Sequence, residues 1–287
     1  MKVTINVVNA FIDGISGGNP AGVVLAADGL DDGQKLAIAK KAGLSETVFV
    51  SASSVADFKL DFFTPTRQIA HCGHATVAVF SHLEQSGRIS QGWFTKETID
   101  GNRKILIKEG MAFMEQAAPK YQDIENHHTA ILDSIGVTEQ QLLLAPKLVN
   151  TGNSFVIVGV KDKLTLSQIK PDFDLIHSIS ESLDLIGYYI FTEETSSPGR
   201  DASARMLAPR YGINEEAATG MAAGPLACYL HGDMAIKKDH FSIEQGYLML
   251  PPSPSVINVN LEITGGNITS LMAGGVATMS KEIVVEI

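Results

Sequence analysis

Cysteine and positive charge are both scarce in this 287-residue chain, and each shortage excludes a class of protein. Two cysteines cannot form a disulfide framework, which favours a reducing compartment. Lysine and arginine number 22 against 32 aspartate and glutamate residues, so the net charge is −10 and no long basic run is present. Because a phosphate backbone requires such a run, the sequence predicts neither nucleic acid nor an anionic membrane as a partner.

Long apolar runs are also missing. The longest stretch without a charged residue covers residues 263–280, but Gly265, Gly266 and Asn267 make it unsuitable as a membrane span. From Val3 onward the first residues alternate in polarity and lack the charged and apolar blocks of a signal peptide. These features predict a cytoplasmic protein without a membrane-spanning segment.

Apolar residues make up 45% of the chain, which is enough to build a core in each of about two domains. Strand-like patterns recur in both halves of the chain. In the first half, Asp31 and Gly43 mark the start and the end of a predicted helix. A second helix is predicted to begin near Asp123, and residues 17–22 are predicted to form a turn-rich loop. The predicted strands cover residues 3–11, 47–51, 57–63, 104–108, 112–116, 154–160, 187–193, 204–208, 256–261 and 282–286.

An internal repeat indicates how the halves are built. Gly73 matches Gly220, Ala75 matches Ala222 and Leu83 matches Leu230, always at an offset of 147 residues. Both segments are rich in alanine and uncharged over a helix length, so each is predicted to be a helix buried on all sides. The pattern predicts an α+β protein with two similar lobes, residues 1–118 and 119–277, with residues 278–287 packing back on the first lobe.

The two repeated glycines also suggest a binding site. A glycine at the first turn of a buried helix leaves backbone N–H groups free, and the helix dipole favours an anion there. Two such helix starts would hold one carboxylate-bearing substrate between the lobes. Alternatively, Gly73 and Gly220 serve only to allow tight turns from strand to helix.

Three further residues are candidates for chemistry. Glu46 lies between a helix end and an apolar strand, where burial is expected to raise the pKa of its carboxyl group; alternatively, it is a surface residue. His74 is a candidate acid–base or hydrogen-bonding group at the helix start. Cys72 is expected to have a lowered thiol pKa there, but its repeat partner Thr219 is too weak an acid for a two-thiol racemase.

No metal site is predicted. His71 and His74 are three residues apart, but no carboxylate or third histidine follows at a ligand spacing nearby.

Taken together, these segments resemble the PhzF-like (phenazine-biosynthesis-like) family, which shares its fold with diaminopimelate epimerase. The matching motifs are spread in the family's order along nearly the whole chain. They are residues 18–22 (GNPAG), 45–49 (SETVF), 63–65 (FTP), 72–76 (CGHAT), Arg205 with Pro209 and Gly212, 215–220 (EEAATG) and 245–246 (QG).

The resemblance implies two pseudo-symmetric lobes, each a strand-rich, barrel-like shell around a central helix, with the site in the cleft, no cofactor and commonly a homodimer. It implies that Glu46 transfers the proton. The residues predicted to be catalytic are Glu46, His74 and Glu216, and those predicted to bind substrate are Asn19, Gly73, Gly220 and Met221.

Two departures from the family pattern bear on the substrate. The usual Asp-Pro pair of the last motif is Glu216-Ala217 here, and the usual serine after the glycine is Met221.

The function predicted from the sequence is therefore a cofactor-independent isomerase that moves a proton within a small carboxylate-bearing metabolite. One alternative is an amino-acid racemase or epimerase, which needs two bases on opposite faces of the substrate. Another is an inactive homologue that binds a small molecule or a protein.

Overall fold

The chain divides into two compact units in the computed structural model, which describes residues 1–287. Unit 1 comprises residues 1–115 and 274–287, and unit 2 comprises residues 116–273. None of the helices has both the length and the apolar character needed to span a membrane.

Unit 1 contains two helices, α1 (Asp32–Ala42) and α2 (Gly73–Gln85), and is otherwise built of strands. The strands are β1 (Lys2–Ala10), β2 (Asn19–Val24), β3 (Thr47–Ser51), β4 (Phe58–Phe63), β5 (Gln68–Ile69), β6 (Gly92–Thr98), β7 (Gly101–Lys108), β8 (Met111–Ala117) and the last strand of the chain, β18 (Ala277–Glu286).

From β1 to β7, antiparallel and parallel pairings of neighbouring strands alternate in unit 1. β1 is antiparallel to both β18 and β2, β2 is parallel to β3, and β3 is antiparallel to β4. β4 is then parallel to β6, which is antiparallel to β7. Helix α2 contacts β1, β2, β3, β7 and β18, so strands surround it and every residue from Gly73 to Ser81 is buried.

Unit 2 contains four helices, α3 (His128–Ile135), α4 (Lys163–Gln168), α5 (Phe173–Ser182) and α6 (Gly220–Gly232). Its strands are β9 (Lys120–Gln122), β10 (Lys147–Asn150), β11 (Ser154–Gly159), β12 (Gly187–Thr192), β13 (Ala202–Ala208), β14 (Ile213–Glu216), β15 (His240–Gln245), β16 (Ser255–Thr264) and β17 (Asn267–Gly275).

Unit 2 repeats the strand order of unit 1. β10 is antiparallel to β11, β11 is parallel to β12, and β12 is antiparallel to β13. β13 is parallel to β15, which is antiparallel to β16. Helix α6 contacts β10, β11, β12 and β16, and it occupies the place that α2 has in the first unit. The predicted α+β fold of two similar strand-rich lobes, each around a central helix, is confirmed.

The repeat in the sequence corresponds to the two central helices. Gly73 and Gly220 are the first residues of α2 and α6, and Cys72 and Thr219 are the residues that precede them. Both helices have 13 residues. The prediction of α1 is also confirmed, since Asp31 caps its start and Gly43 ends it in a left-handed conformation.

Two local predictions are wrong. Residues 19–22 belong to strand β2 rather than to a loop, because pairing with β1 on one side and β3 on the other outweighs the turn preference of the sequence. The helix predicted near Asp123 begins later, at His128, after a short 3₁₀ turn.

The start of α6 is fixed by a buried glutamine that requires a neighbouring glycine. The amide of Gln116 donates to the Gly220 carbonyl over 2.8 Å, and its oxygen accepts from the Thr151 hydroxyl over 2.7 Å. A Cβ atom at Gly224 would lie 2.2 Å from that amide oxygen, closer than real contacts allow.

We expect Gly224→Ala to destabilise the protein by about 1–3 kcal/mol, because the added methyl group overpacks this position and displaces Gln116. Thermal unfolding measures the effect. Gly232→Ala is the matched control in the same helix, since a Cβ there finds only an ordinary contact at 3.5 Å. Equal melting temperatures for the two variants would contradict the role assigned to Gly224.

Candidate active site

Glu46 is held at the start of β3 by a close approach of two strands. Its backbone carbonyl accepts a hydrogen bond from the Gly22 N–H over 3.0 Å. A Cβ atom at Gly22 would lie 2.9 Å from the Thr47 hydroxyl, so a larger residue would push β2 away from β3. The glycine therefore keeps Glu46 in place directly before the first residue of β3.

The side chain of Glu46 meets His74, the second residue of α2. The Oε2 atom of Glu46 lies 3.2 Å from Nε2 of His74. Only 7% of Glu46 and 4% of His74 is exposed, so both groups are almost completely removed from water. Two of the predicted catalytic residues are thus brought together within unit 1.

Each member of the pair favours the charged form of the other. Burial acts to raise the pKa of Glu46, but the positive charge of His74 and hydrogen bonds from His74 and Ser45 outweigh it and lower the pKa below its ordinary value. Burial acts to lower the pKa of His74, but interactions with Cys72 and Glu46 raise it well above its ordinary value. The expectation of a raised carboxyl pKa is therefore wrong, because the sequence does not show that an imidazole lies beside the carboxylate.

Cys72 lies on the other side of His74. Its Sγ atom is 3.5 Å from Nδ1 and 3.9 Å from Nε2 of the imidazole ring. Burial raises the pKa of the Cys72 thiol above its ordinary value; the charge of His74 acts against this, and the smaller effect of the Glu46 charge adds to it. The expectation of a lowered thiol pKa at the helix start is wrong, and Cys72 stays protonated at neutral pH.

The remaining predicted residues of unit 1, Asn19 and Gly73, are both buried. Asn19 is the first residue of β2, which pairs with the strand that follows Glu46. Gly73 separates Cys72 from His74 and is the first residue of α2.

In unit 2 the residues predicted to take part are grouped at the start of α6. The Thr219 hydroxyl donates a short hydrogen bond of 2.6 Å to Oε2 of Glu216. Gln245, which is fully buried, donates from its amide to the Glu216 carbonyl and accepts from the Thr219 N–H. The Tyr189 hydroxyl also donates to Gln245, over 2.9 Å. Glu216 is therefore fixed in orientation by its own strand and by the helix start.

Met221, the second residue of α6, offers a sulfur atom where the family pattern has a hydroxyl. The amide of Asn153 donates to this sulfur over 3.4 Å. A thioether has no proton to donate, so the position can only accept.

A second polar group in unit 1 is absent from the residues predicted from the sequence. Lys96, on β6, is completely buried, and its amine lies 2.6 Å from the Thr76 hydroxyl and 3.1 Å from Nδ1 of His71. The amine also lies 5.0 Å from the centre of the Phe62 ring. His71 therefore contacts Lys96, whereas His74 contacts Glu46. Strand alternation, which places Lys96 on the same side as Phe94, is the signal that would have located it.

Comparison with known proteins identifies the family. A family model described as phenazine biosynthesis-like protein matches residues 8–282. An uncharacterized isomerase of Clostridium acetobutylicum is 34% identical over 230 residues, covering 74% of both chains. A trans-2,3-dihydro-3-hydroxyanthranilate isomerase of Pseudomonas chlororaphis is 28% identical over 238 residues, covering 79% of this chain and 80% of that protein. The chain belongs to the phenazine biosynthesis-like (PhzF) family and is an enzyme of the isomerase class.

Solved structures agree with this assignment. A PhzF-family phenazine biosynthesis protein of Bacillus anthracis is 27% identical, with a TM-score of 0.90 and complete coverage of both chains. A hydroxyproline epimerase of Agrobacterium vitis is 14% identical, with a TM-score of 0.60 and coverage of 99% and 92% of the two chains. The second likeness shows the fold alone, which is the class predicted from the sequence.

Lys96 gives the stability of the protein a specific dependence on pH. Burial lowers the pKa of its amine from 10.5 to about 7, and the charge of Arg103 contributes to the lowering. Between these pH values the unfolded chain binds more protons than the folded chain, so raising the pH stabilises the fold. We expect wild-type protein to gain stability relative to Lys96→Met as the pH rises from 7 to 10, as measured by thermal unfolding.

Lys104→Met is the control for this prediction, since Lys104 is an exposed lysine on the neighbouring strand. Its melting temperature should differ from wild type by the same amount at every pH. A difference between wild type and Lys96→Met that does not change with pH would contradict the prediction.

Proposed function

We propose that this protein is a cofactor-independent isomerase that moves a proton within a small carboxylate-bearing metabolite, with Glu46 as the acid and base. The observation that supports this most directly is the buried pair of Glu46 and His74 at 3.2 Å. Perturbed and paired titratable groups of this kind are typical of sites that transfer protons.

Each member of the pair has a defined part in the proposed reaction. His74 keeps Glu46 ionised, so the carboxylate accepts a proton from a carbon next to an activating group and the C–H electron pair passes into the substrate. The protonated Glu46 then gives a proton, either the one it took or one exchanged with solvent, to another carbon on the same face, which restores the carboxylate and leaves an isomer. A single residue is sufficient for this exchange because no proton has to reach the opposite face.

The start of α2 contributes to the proposed stabilisation of negative charge. Gly73 and His74 lie in its first turn, where backbone N–H groups and the helix dipole favour an anion. Asn19 is proposed to bind the substrate at this end of unit 1.

In unit 2 we propose a binding role for the start of α6. The Thr219 hydroxyl orients the Glu216 carboxylate, and Gly220 and Met221 follow as the first residues of the helix. A racemase with two thiols is not favoured, because the position that repeats Cys72 carries a hydroxyl that already donates to Glu216.

We expect Glu46→Gln to lower the rate of proton transfer by about 10²- to 10⁴-fold, because an amide keeps the shape of the carboxylate but accepts no proton. The rate is measured as deuterium incorporated from D₂O into a carboxylic acid that wild-type protein labels, identified in a screen of unsaturated and cyclic metabolite acids. The melting temperature should change by only a few degrees, because His74 can become neutral when its partner does.

Glu97→Gln serves as the matched control, since Glu97 is a half-buried carboxylate of the same unit that accepts from the Ser53 hydroxyl. It should label the substrate at the wild-type rate. Unchanged labelling by Glu46→Gln would remove Glu46 from the mechanism.

We also expect slow turnover of trans-2,3-dihydro-3-hydroxyanthranilate, the compound named for the Pseudomonas chlororaphis relative. Met221 supplies no hydrogen-bond donor, and Glu216 is one methylene longer than the family's aspartate. A displacement of about 1 Å in a positioning group costs about a hundredfold in rate. Steady-state kinetics with that compound measures the effect.

Restoring the family residues tests the reason for this prediction. The double variant Glu216→Asp with Met221→Ser should turn the compound over faster than wild-type protein. A wild-type kcat/KM above about 10⁴ M⁻¹s⁻¹, the range of a dedicated enzyme, would show that neither residue restricts the substrate.

A further inference from the structure

Three different metal-binding groups converge beside the N-terminus of α2. One carboxylate oxygen of Glu46, the sulfur of Cys72 and a ring nitrogen of His74 all lie within 4.8 Å of one another. Each of these residues keeps between 4% and 7% of its surface exposed, so the group is buried but not sealed. Glu46 lies 26 positions before Cys72, and His74 lies two positions after it. The fold therefore brings Glu46 to the other two residues.

The three donor atoms lie together and already interact with one another. The Oε2 atom of Glu46 is buried beside Nε2 of His74, at 3.2 Å. The sulfur of Cys72 is nearly equidistant from the two ring nitrogens, at 3.5 Å and 3.9 Å, instead of lying in line with one of them.

Two of the separations are close to those around a tetrahedral metal ion. With metal distances of about 2.3 Å to sulfur and about 2.0–2.1 Å to nitrogen and oxygen, the edges of a tetrahedron are about 3.6 Å for S···N and about 3.3 Å for N···O. The Sγ···Nε2 distance is 3.9 Å and the Nε2···Oε2 distance is 3.2 Å. The Sγ···Nδ1 distance of 3.5 Å places the sulfur beside the ring, so the thiol must also rotate towards an ion bound at Nε2.

We propose that Glu46, Cys72 and His74 form a binding site for Zn²⁺ and similar thiophilic divalent cations. Sulfur and imidazole ligands select such ions over Mg²⁺ and Ca²⁺, which prefer oxygen. The ion replaces the thiol proton and the imidazolium proton, since metal ligands bind in their deprotonated forms. Three protein ligands leave the fourth position of the tetrahedron open.

This site would switch off the isomerase, a consequence that depends on the proposed function. An ion bound to Oε2 occupies the lone pair with which Glu46 accepts the proton. It also holds His74 in its neutral form, so the charged pair no longer exists. The cation is therefore an inhibitor in this proposal and has no part in the reaction.

Binding is tested directly, without reference to activity. Full-length protein is stripped of metal with a chelator and titrated by calorimetry with Zn²⁺, with Cd²⁺ and, as a hard cation, with Mg²⁺. We expect one equivalent of Zn²⁺ or Cd²⁺ to bind, no binding of Mg²⁺, and a cadmium–thiolate absorption band in the ultraviolet on addition of Cd²⁺.

Two cysteine variants locate the site. Cys72→Ala should weaken Zn²⁺ binding by more than about 100-fold, because loss of a ligand exceeds the 10- to 100-fold effect of losing an outer partner. Cys228→Ala is the matched control, since Cys228 is the other free and buried cysteine and belongs to unit 2. It should bind Zn²⁺ like wild type and keep the cadmium band.

The outcomes separate this proposal from the proposed function. Absence of Zn²⁺ binding by wild-type protein, or equal binding by Cys72→Ala, overturns the metal site whether or not the enzyme is active. If Cys72→Ala does not fold, a cadmium band that persists in Cys72→Ser and disappears in Cys228→Ala also overturns it. Stoichiometric binding that is lost with Cys72, in a protein that labels no acid in D₂O, supports the site and contradicts only the isomerase proposal.

Discussion

Enclosure of one helix on every side by strands is the constraint on which the rest of each unit depends. A helix in this position is expected to be apolar along most of its length, which α2 and α6 achieve with alanine, glycine and a few larger residues. Its first N–H groups still require partners, because a buried helix end cannot rely on water. Polar side chains also lie at the two helix starts, where Glu46 meets His74 and Glu216 accepts from the Thr219 hydroxyl.

The charges within unit 1 follow from this burial. Burial acts to raise the pKa of the Glu46 carboxyl, because removal from water disfavours its charged form. His74 reverses that outcome, and the two groups remain charged only as a pair. Lys96 shows the opposite case, since its buried amine meets a hydroxyl and an imidazole rather than a carboxylate, and burial lowers its pKa. Neighbouring buried groups in the same unit thus differ in charge because of their partners.

Several features of the fold were predictable from the sequence because they depend on residues close together in the chain. Asp31 and Gly43 mark the ends of α1, and the matching glycines mark the starts of α2 and α6. The motifs that resemble the PhzF family are short and continuous, so the family could be identified from them. Strand β2 was missed, since its turn-forming residues become a strand only through pairing with β1 and β3.

The sequence by itself determined the class of fold, the family, and the residues at the two helix starts, because each is encoded in local patterns of glycine, alanine and alternating apolar residues. The tertiary structure alone decided which of those residues are charged. Glu46 and His74 lie on different elements, and their 3.2 Å separation exists only after α2 is enclosed by strands. The same holds for Cys72, whose position beside them places a third metal ligand in the group. Electrostatic interactions depend on distance and burial, and neither quantity is present in the linear sequence.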